Sequence, residues 1–115
     1  MTRRGEVYWI DWSPGRGREQ VGLRPALIIQ NDIGNQYSPT TIVAAISTKI
    51  PPRAYPFQVL ISSAECGLPE DSIIKCEQIL TIDVTRLTSR VGRLSDAKLA
   101  EVDLAIHRSL GLICR

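Results

Sequence analysis

The chain has 115 residues, a formal net charge of +2 and an ordinary hydrophobic content of 43%. That is one domain (1–115) with a single core, and a charge too small to announce a nucleic-acid binder. No apolar run approaches the ~20 residues of a spanning helix, and the opening MTRRGEVYW lacks the apolar segment of a signal peptide, so a cytoplasmic protein is expected.

Glu6–Trp12 is rich in β-branched and aromatic residues and reads as a first strand, with Tyr8, Trp9 and Trp12 supplying core bulk. Ser13–Leu23 follows as a glycine-containing loop that carries Arg16, Gly17, Arg18, Glu19 and Gln20. Ala26–Gln30 is a short apolar strand, Asn31–Thr40 a turn-rich connection, and Thr41–Ser47 a third strand. Pro51, Pro52 and Pro56 break the chain before a fourth strand, Phe57–Ile61. Ser62–Glu70 reads as a loop or one helical turn. Ser72–Gln78 is strand, with Ile79–Ile82 a candidate extension and Arg90–Leu94 a candidate last strand. Ser95 suits an N-cap and Asp96 a first helical turn, after which Leu99, Val102, Ile106 and Leu110 form one apolar stripe ended by Gly111. Five or six short strands and one long terminal helix predict a mainly β fold: a small, strongly bent barrel with a helix packed on it.

Charge is uneven along the chain. Residues 1–53 carry Arg3, Arg4, Arg16, Arg18, Arg24, Lys49 and Arg53 against Glu6, Asp11, Glu19 and Asp32. Arginine binds phosphate bidentately and stacks on bases, although solvated surface arginines are the plainer reading of such a list. The most informative stretch is 22–48, GLRPALIIQNDIGNQYSPTTIVAAIST. It puts Arg24, held extended by Pro25, at the mouth of one strand and Ser47 at the end of the next. Neighbouring strands would bring the two together at one rim of the sheet. A guanidinium beside a hydroxyl suits a phosphate, in ground or transition state. Strand alternation sends Ser47 and Thr48 to opposite faces, so only one of them is expected beside Arg24. Glu77 and Gln78 form a similar alternating pair later in the chain.

Other chemistries fit less well. His107 stands alone on the terminal helix, which excludes a two-histidine ribonuclease. Cys66, Cys76 and Cys114 are odd in number and lack ligand spacing, which argues for reduced thiols and against zinc. Neither a clustered acidic set for a two-metal nuclease nor a GxxxxGK[ST] phosphate loop is present.

Several segments in order closely resemble the MazF/PemK family of toxin endoribonucleases from type II toxin–antitoxin modules: RGEVYWIDWSP at 4–14, EQVGLRPALIIQND at 19–32, SPTTIVAAIS at 38–47 and DSIIKCEQILTID at 71–83. The terminal amphipathic helix completes the likeness. The resemblance implies an SH3-like barrel with appended helices, acting as a homodimer. It also implies cleavage of single-stranded RNA at a short sequence, without metal or other cofactor, giving a 2′,3′-cyclic phosphate and a 5′-hydroxyl. The family's catalytic arginine matches Arg24. Its catalytic threonine matches Ser47 in a gapless alignment, or Thr48 after a one-residue slip that would flip the strand's faces. Arg16, Gly17, Arg18, Glu19, Gln20, Thr48, Glu77 and Gln78 are carried over as substrate-binding. Arg18 stands where the family commonly has a small polar residue, so the resemblance does not carry over a cleavage sequence. The implied partner is a MazE-like antitoxin whose disordered tail folds along the toxin. Two rivals share the barrel: a gyrase poison resembling CcdB, and a non-catalytic RNA-binding module.

Overall fold

The computed structural model describes residues 1–12 and 22–112. Arg16, Gly17, Arg18, Glu19 and Gln20 therefore lie outside the described residues, as does Cys114. In chain order the elements are β1 (Glu6–Asp11), β2 (Leu23–Ile28), α1 (Asp32–Tyr37), β3 (Thr40–Ser47), β4 (Gln58–Ile61), α2 (Ser63–Cys66), β5 (Ser72–Asp83), β6 (Leu87–Arg93) and α3 (Asp96–Leu110). The strands form one antiparallel sheet in the order β4-β5-β3-β2-β1-β6. The mainly β fold with a terminal helix is as expected. The sheet is curled but open, because β4 and β6 are its two edges and do not pair.

Alternation along the strands splits the apolar side chains between two clusters. Val7, Leu27, Ala44, Ile46, Ile74 and Cys76 point toward α3, which adds Leu99, Val102 and Ala105. Ile10, Ala26, Ile28, Val43 and Ile82 occupy the other face, with Tyr8 and Trp12 against them. Two register shifts between β1 and β6 and a larger one between β3 and β5 bend the sheet between these layers. Cys76 is buried under the larger shift. Its burial, with the Glu77 carboxylate adding to it, pushes the thiol up to about 12. Native protein at about pH 8 is therefore expected to leave Cys76 unalkylated by iodoacetamide, and unfolded protein to lose that protection, as mass spectrometry of the adducts will show.

The helices close the seam between the sheet edges. Helix α2 has a capping box, in which Ser62 and Glu65 bond each other's backbone N–H groups. The bond from the Ser62 N–H, more than nearby Lys98, holds the Glu65 carboxyl below the usual range. Lys98 of α3 reaches the Leu60 carbonyl on β4 and the carboxylate of Glu65, tying α3, β4 and α2 together. Helix α3 begins at Ser95, which accepts from the Lys98 N–H, and ends at Gly111 in the left-handed region. Its apolar stripe runs through Leu99, Val102, Ala105 and Ile106. Leu110, expected on that stripe, is 57% exposed because the last turn extends past the cluster.

The connection 31–40 differs from expectation in holding a helix. Asn31 caps α1 by accepting from the Gly34 N–H. Buried Asn35 anchors it, donating to the Gln30 carbonyl and accepting from Thr41 Oγ1 at 2.8 Å. Strand β2 starts three residues earlier than the apolar run suggested, and β5 is one continuous strand.

Candidate active site

Strands β2 and β3 pair with Ala26 opposite Ala45, Leu27 opposite Ala44 and Ile28 opposite Val43. Continuing that register by two residues puts Arg24 across from Ser47, on the same face of the sheet. Proline explains why β2 reaches that far: Pro25 keeps Arg24 extended, and Arg24 still pairs with Ile10 of β1. The guanidinium is exposed, and among the described residues it makes no hydrogen bond or ion pair.

Ser47 is half-buried at the end of β3. Its Oγ accepts from the Lys49 N–H at 3.1 Å, which turns the chain off the sheet. The hydroxyl proton has no acceptor among the described residues, so it can donate to an incoming oxygen.

Both residues line a cavity of about 460 Å³ at this end of the sheet, together with Thr48, Lys49, Lys75 and Gln78. Trp9, Pro25 and Ile46 add apolar wall, and Leu68, Pro69 and Glu70 form the side nearest α2. Thr48 was expected to turn away from Ser47. It joins the cavity because β3 ends at Ser47, and the alternation rule stops with it.

The register between β3 and β5 explains Gln78. Ala44 pairs with Ile79 and Ala45 with Lys75, so Cys76, Glu77 and Gln78 stand opposite nothing on β3. In a regular strand Lys75 and Gln78 would lie on opposite faces. The bulge brings both into the cavity. Glu77 is turned toward β4 instead, where its carboxylate accepts from Gln58 Nε2 at 2.8 Å, and it does not line the cavity. Sequence reasoning counted Lys49 only among the basic residues of 1–53 and passed over Lys75 and Glu70. Lys75 could have been noticed as a charge inside the otherwise apolar run SIIKC.

A guanidinium, a hydroxyl, two ammonium groups and an amide converging on a cleft with aromatic and proline walls make a site for a phosphate and an attached flat group. The fold and the site thus define a small β protein with a cleft lined by cationic side chains where β2 and β3 meet. Comparison with known proteins is specific. The profile of the PemK-like, MazF-like toxins of type II toxin–antitoxin systems matches residues 3–110, and the chain belongs to this family. It is 52% identical over 112 residues to an Endoribonuclease MazF of Staphylococcus saprophyticus, covering 97% of this chain and 93% of that one. Among solved structures, it shares its fold with an endoribonuclease in complex with its cognate antitoxin from a mycobacterial species (TM-score 0.82, 22% identity, all of both chains). MazF from Deinococcus radiodurans superposes with a TM-score of 0.76 at 22% identity over 96% of each chain.

Proposed function

We propose that this toxin-family endoribonuclease cuts single-stranded RNA at a short sequence, without a metal, through the cleft that holds Arg24 and Ser47. The observation that carries the reading is the register that sets a guanidinium, without a partner among the described residues, across from a hydroxyl with a proton to donate. RNA brings its own nucleophile. The 2′-oxygen attacks the adjacent phosphorus, the P–O5′ bond breaks, the 2′-hydroxyl loses its proton and the leaving 5′-oxygen gains one. The products are a 2′,3′-cyclic phosphate and a 5′-hydroxyl. The protein has to hold the strand so that attack is in line, and to stabilise the charge that builds on the phosphoryl oxygens. Arg24 takes the second task. Ser47 donates to one phosphoryl oxygen. An arginine is a poor base, since its pKa lies above about 12, so Arg24 is assigned no proton abstraction.

Gln78 and the 15–20 loop are the base readers in this proposal, acting on bases that a single strand leaves unstacked. A complementary strand over the cut site should protect it. The partner is an antitoxin, as in the mycobacterial complex and in the MazE–MazF complexes of Deinococcus radiodurans. The working form is a cytoplasmic homodimer.

The test is incubation of purified protein with a long single-stranded RNA in EDTA, followed by mapping of the 5′ ends. Cuts confined to one short motif are expected. No cutting across a sequence-rich RNA would end the nuclease reading in favour of a gyrase poison or a binding module.

The hydroxyl has its own prediction. Ser47→Ala should slow cleavage by roughly a hundredfold, and Ser47→Thr should keep most of the rate, because the oxygen stays in place. Thr48→Ala should cost much less than Ser47→Ala in the same single-turnover assay. If the order of those two alanine variants were reversed, the hydroxyl has been assigned to the wrong residue.

A further inference from the structure

We propose that Lys75 binds a non-reacting phosphate of the RNA, next to the one held between Arg24 and Ser47. The inference rests on the endoribonuclease reading above and adds a residue to its substrate track.

Position comes first. Lys75 pairs with Ala45 on β3 and with Gln58 on β4, while Ala45 pairs with Ala26 on β2. This row lies two residues along the strands from the row of Arg24 and Ser47, a displacement of about 7 Å. Directly opposite residues share a face, so Lys75 rises from the same face as Arg24 and Ser47. Ala26 and Ala45 put only methyl groups on the floor between them, and both are buried. Arg24, Ala45, Ser47 and Lys75 all line the one cavity.

Charge comes second. Lys75 is half-buried, yet among the described residues its side chain has neither a hydrogen bond nor an ion pair. Lys98, the other half-buried lysine, holds Glu65 and Glu101. Glu77, two residues from Lys75, is taken by Gln58, and Glu70, the acid among the cavity's described residues, is not within ion-pair distance of Lys75. An ammonium with no counter-ion among the described residues is free to take an arriving anion.

Chemistry comes third. Lysine is a point charge on a flexible stem, without the planar fork that matches a reacting phosphoryl group. That suits a contact which fixes the register of the strand while reading no base. The bulge places Gln78 beside it in the same cavity, so one strand supplies a backbone contact and an amide able to meet a base edge.

The experiment uses full-length protein and an oligoribonucleotide carrying the mapped cleavage sequence. A 2′-deoxy sugar at the cut nucleotide removes the nucleophile for binding measurements. Lys75→Met is expected to raise Kd about tenfold and to lower the slope of log Kd against log salt by about 0.7, the value for one single-strand phosphate contact. Cleavage at saturating protein should fall less than about threefold, since the contact is equal in ground and transition states. Lys75→Arg should restore both affinity and slope. Replacing the phosphates one at a time by neutral methylphosphonate should reveal one neighbour of the scissile phosphate whose loss harms the parent and leaves Lys75→Met unaffected. An unchanged salt slope, or sensitivity to every methylphosphonate shared by both proteins, would overturn the assignment while leaving the nuclease reading intact. A parent protein that neither binds nor cuts the RNA would remove both.

Discussion

Arg24→Ala is expected to lose roughly a thousandfold or more in single-turnover cleavage, the scale of removing a donor aimed at a developing oxyanion, while its unfolding transition stays where it was. The two halves of this result come from the same geometry. The guanidinium is exposed and bonds to no described residue, so its removal leaves no orphaned partner and no cavity. Its work begins only when a phosphate lies between it and Ser47. Arg24→Lys separates charge from shape: it keeps the cation but loses the fork that can hold two phosphoryl oxygens, and should recover only a small part of the rate. Affinity for the 2′-deoxy substrate should fall far less than the rate, in contrast with Lys75→Met. Were Arg24→Ala to cut at the parental rate, the cleft would not be the active site.

Much of this site was legible in residues 22–48, because the features that locate it are local. Pro25 extends Arg24, short apolar runs make strands, and neighbours in the chain become neighbours in the sheet. The terminal helix was equally plain, since Ser95 and Gly111 cap it through residues a turn away. What escaped is set by register between distant strands. No local signal in 72–83 says that three residues will stand opposite none on β3, yet that bulge decides that Gln78 enters the cavity and Glu77 faces Gln58. Helix α1 was missed for a different reason. Its Asn31 cap looks like any turn residue, and Asn35 anchors it through bonds to Gln30 and Thr41, five and six residues away, that no periodicity announces. Thr48 shows the limit of periodicity itself, which ceases to hold where the strand stops.

Gly67→Ala tests how the open sheet is held closed, and should destabilise the protein by about 3 kcal/mol, lowering the midpoint by roughly 10 °C. Gly67 ends α2 with φ at +81°, where a side chain is strained. A Cβ there would also lie 2.9 Å from the Val91 carbonyl oxygen on β6, and one at Gly92 would lie 2.9 Å from the Cys66 carbonyl oxygen. Backbone meets backbone at this point, so neither side can yield by rotating a side chain. This contact joins β6 to the segment between β4 and β5, across the seam that no strand pairing closes. Gly111 supplies the comparison: φ is +69° but nothing stands within 4 Å of its added Cβ. Gly111→Ala should therefore show the conformational cost alone, about 1 kcal/mol. Equal losses for the two variants would mean that the close approach contributes nothing. The contact also bears on function, because Leu68, Pro69 and Glu70 follow Gly67 directly and wall the cleft opposite Arg24 and Ser47. Well below its melting temperature, Gly67→Ala should bind the 2′-deoxy RNA more weakly than Gly111→Ala does, since prying α2 from β6 moves that wall while the far end of α3 touches none of it.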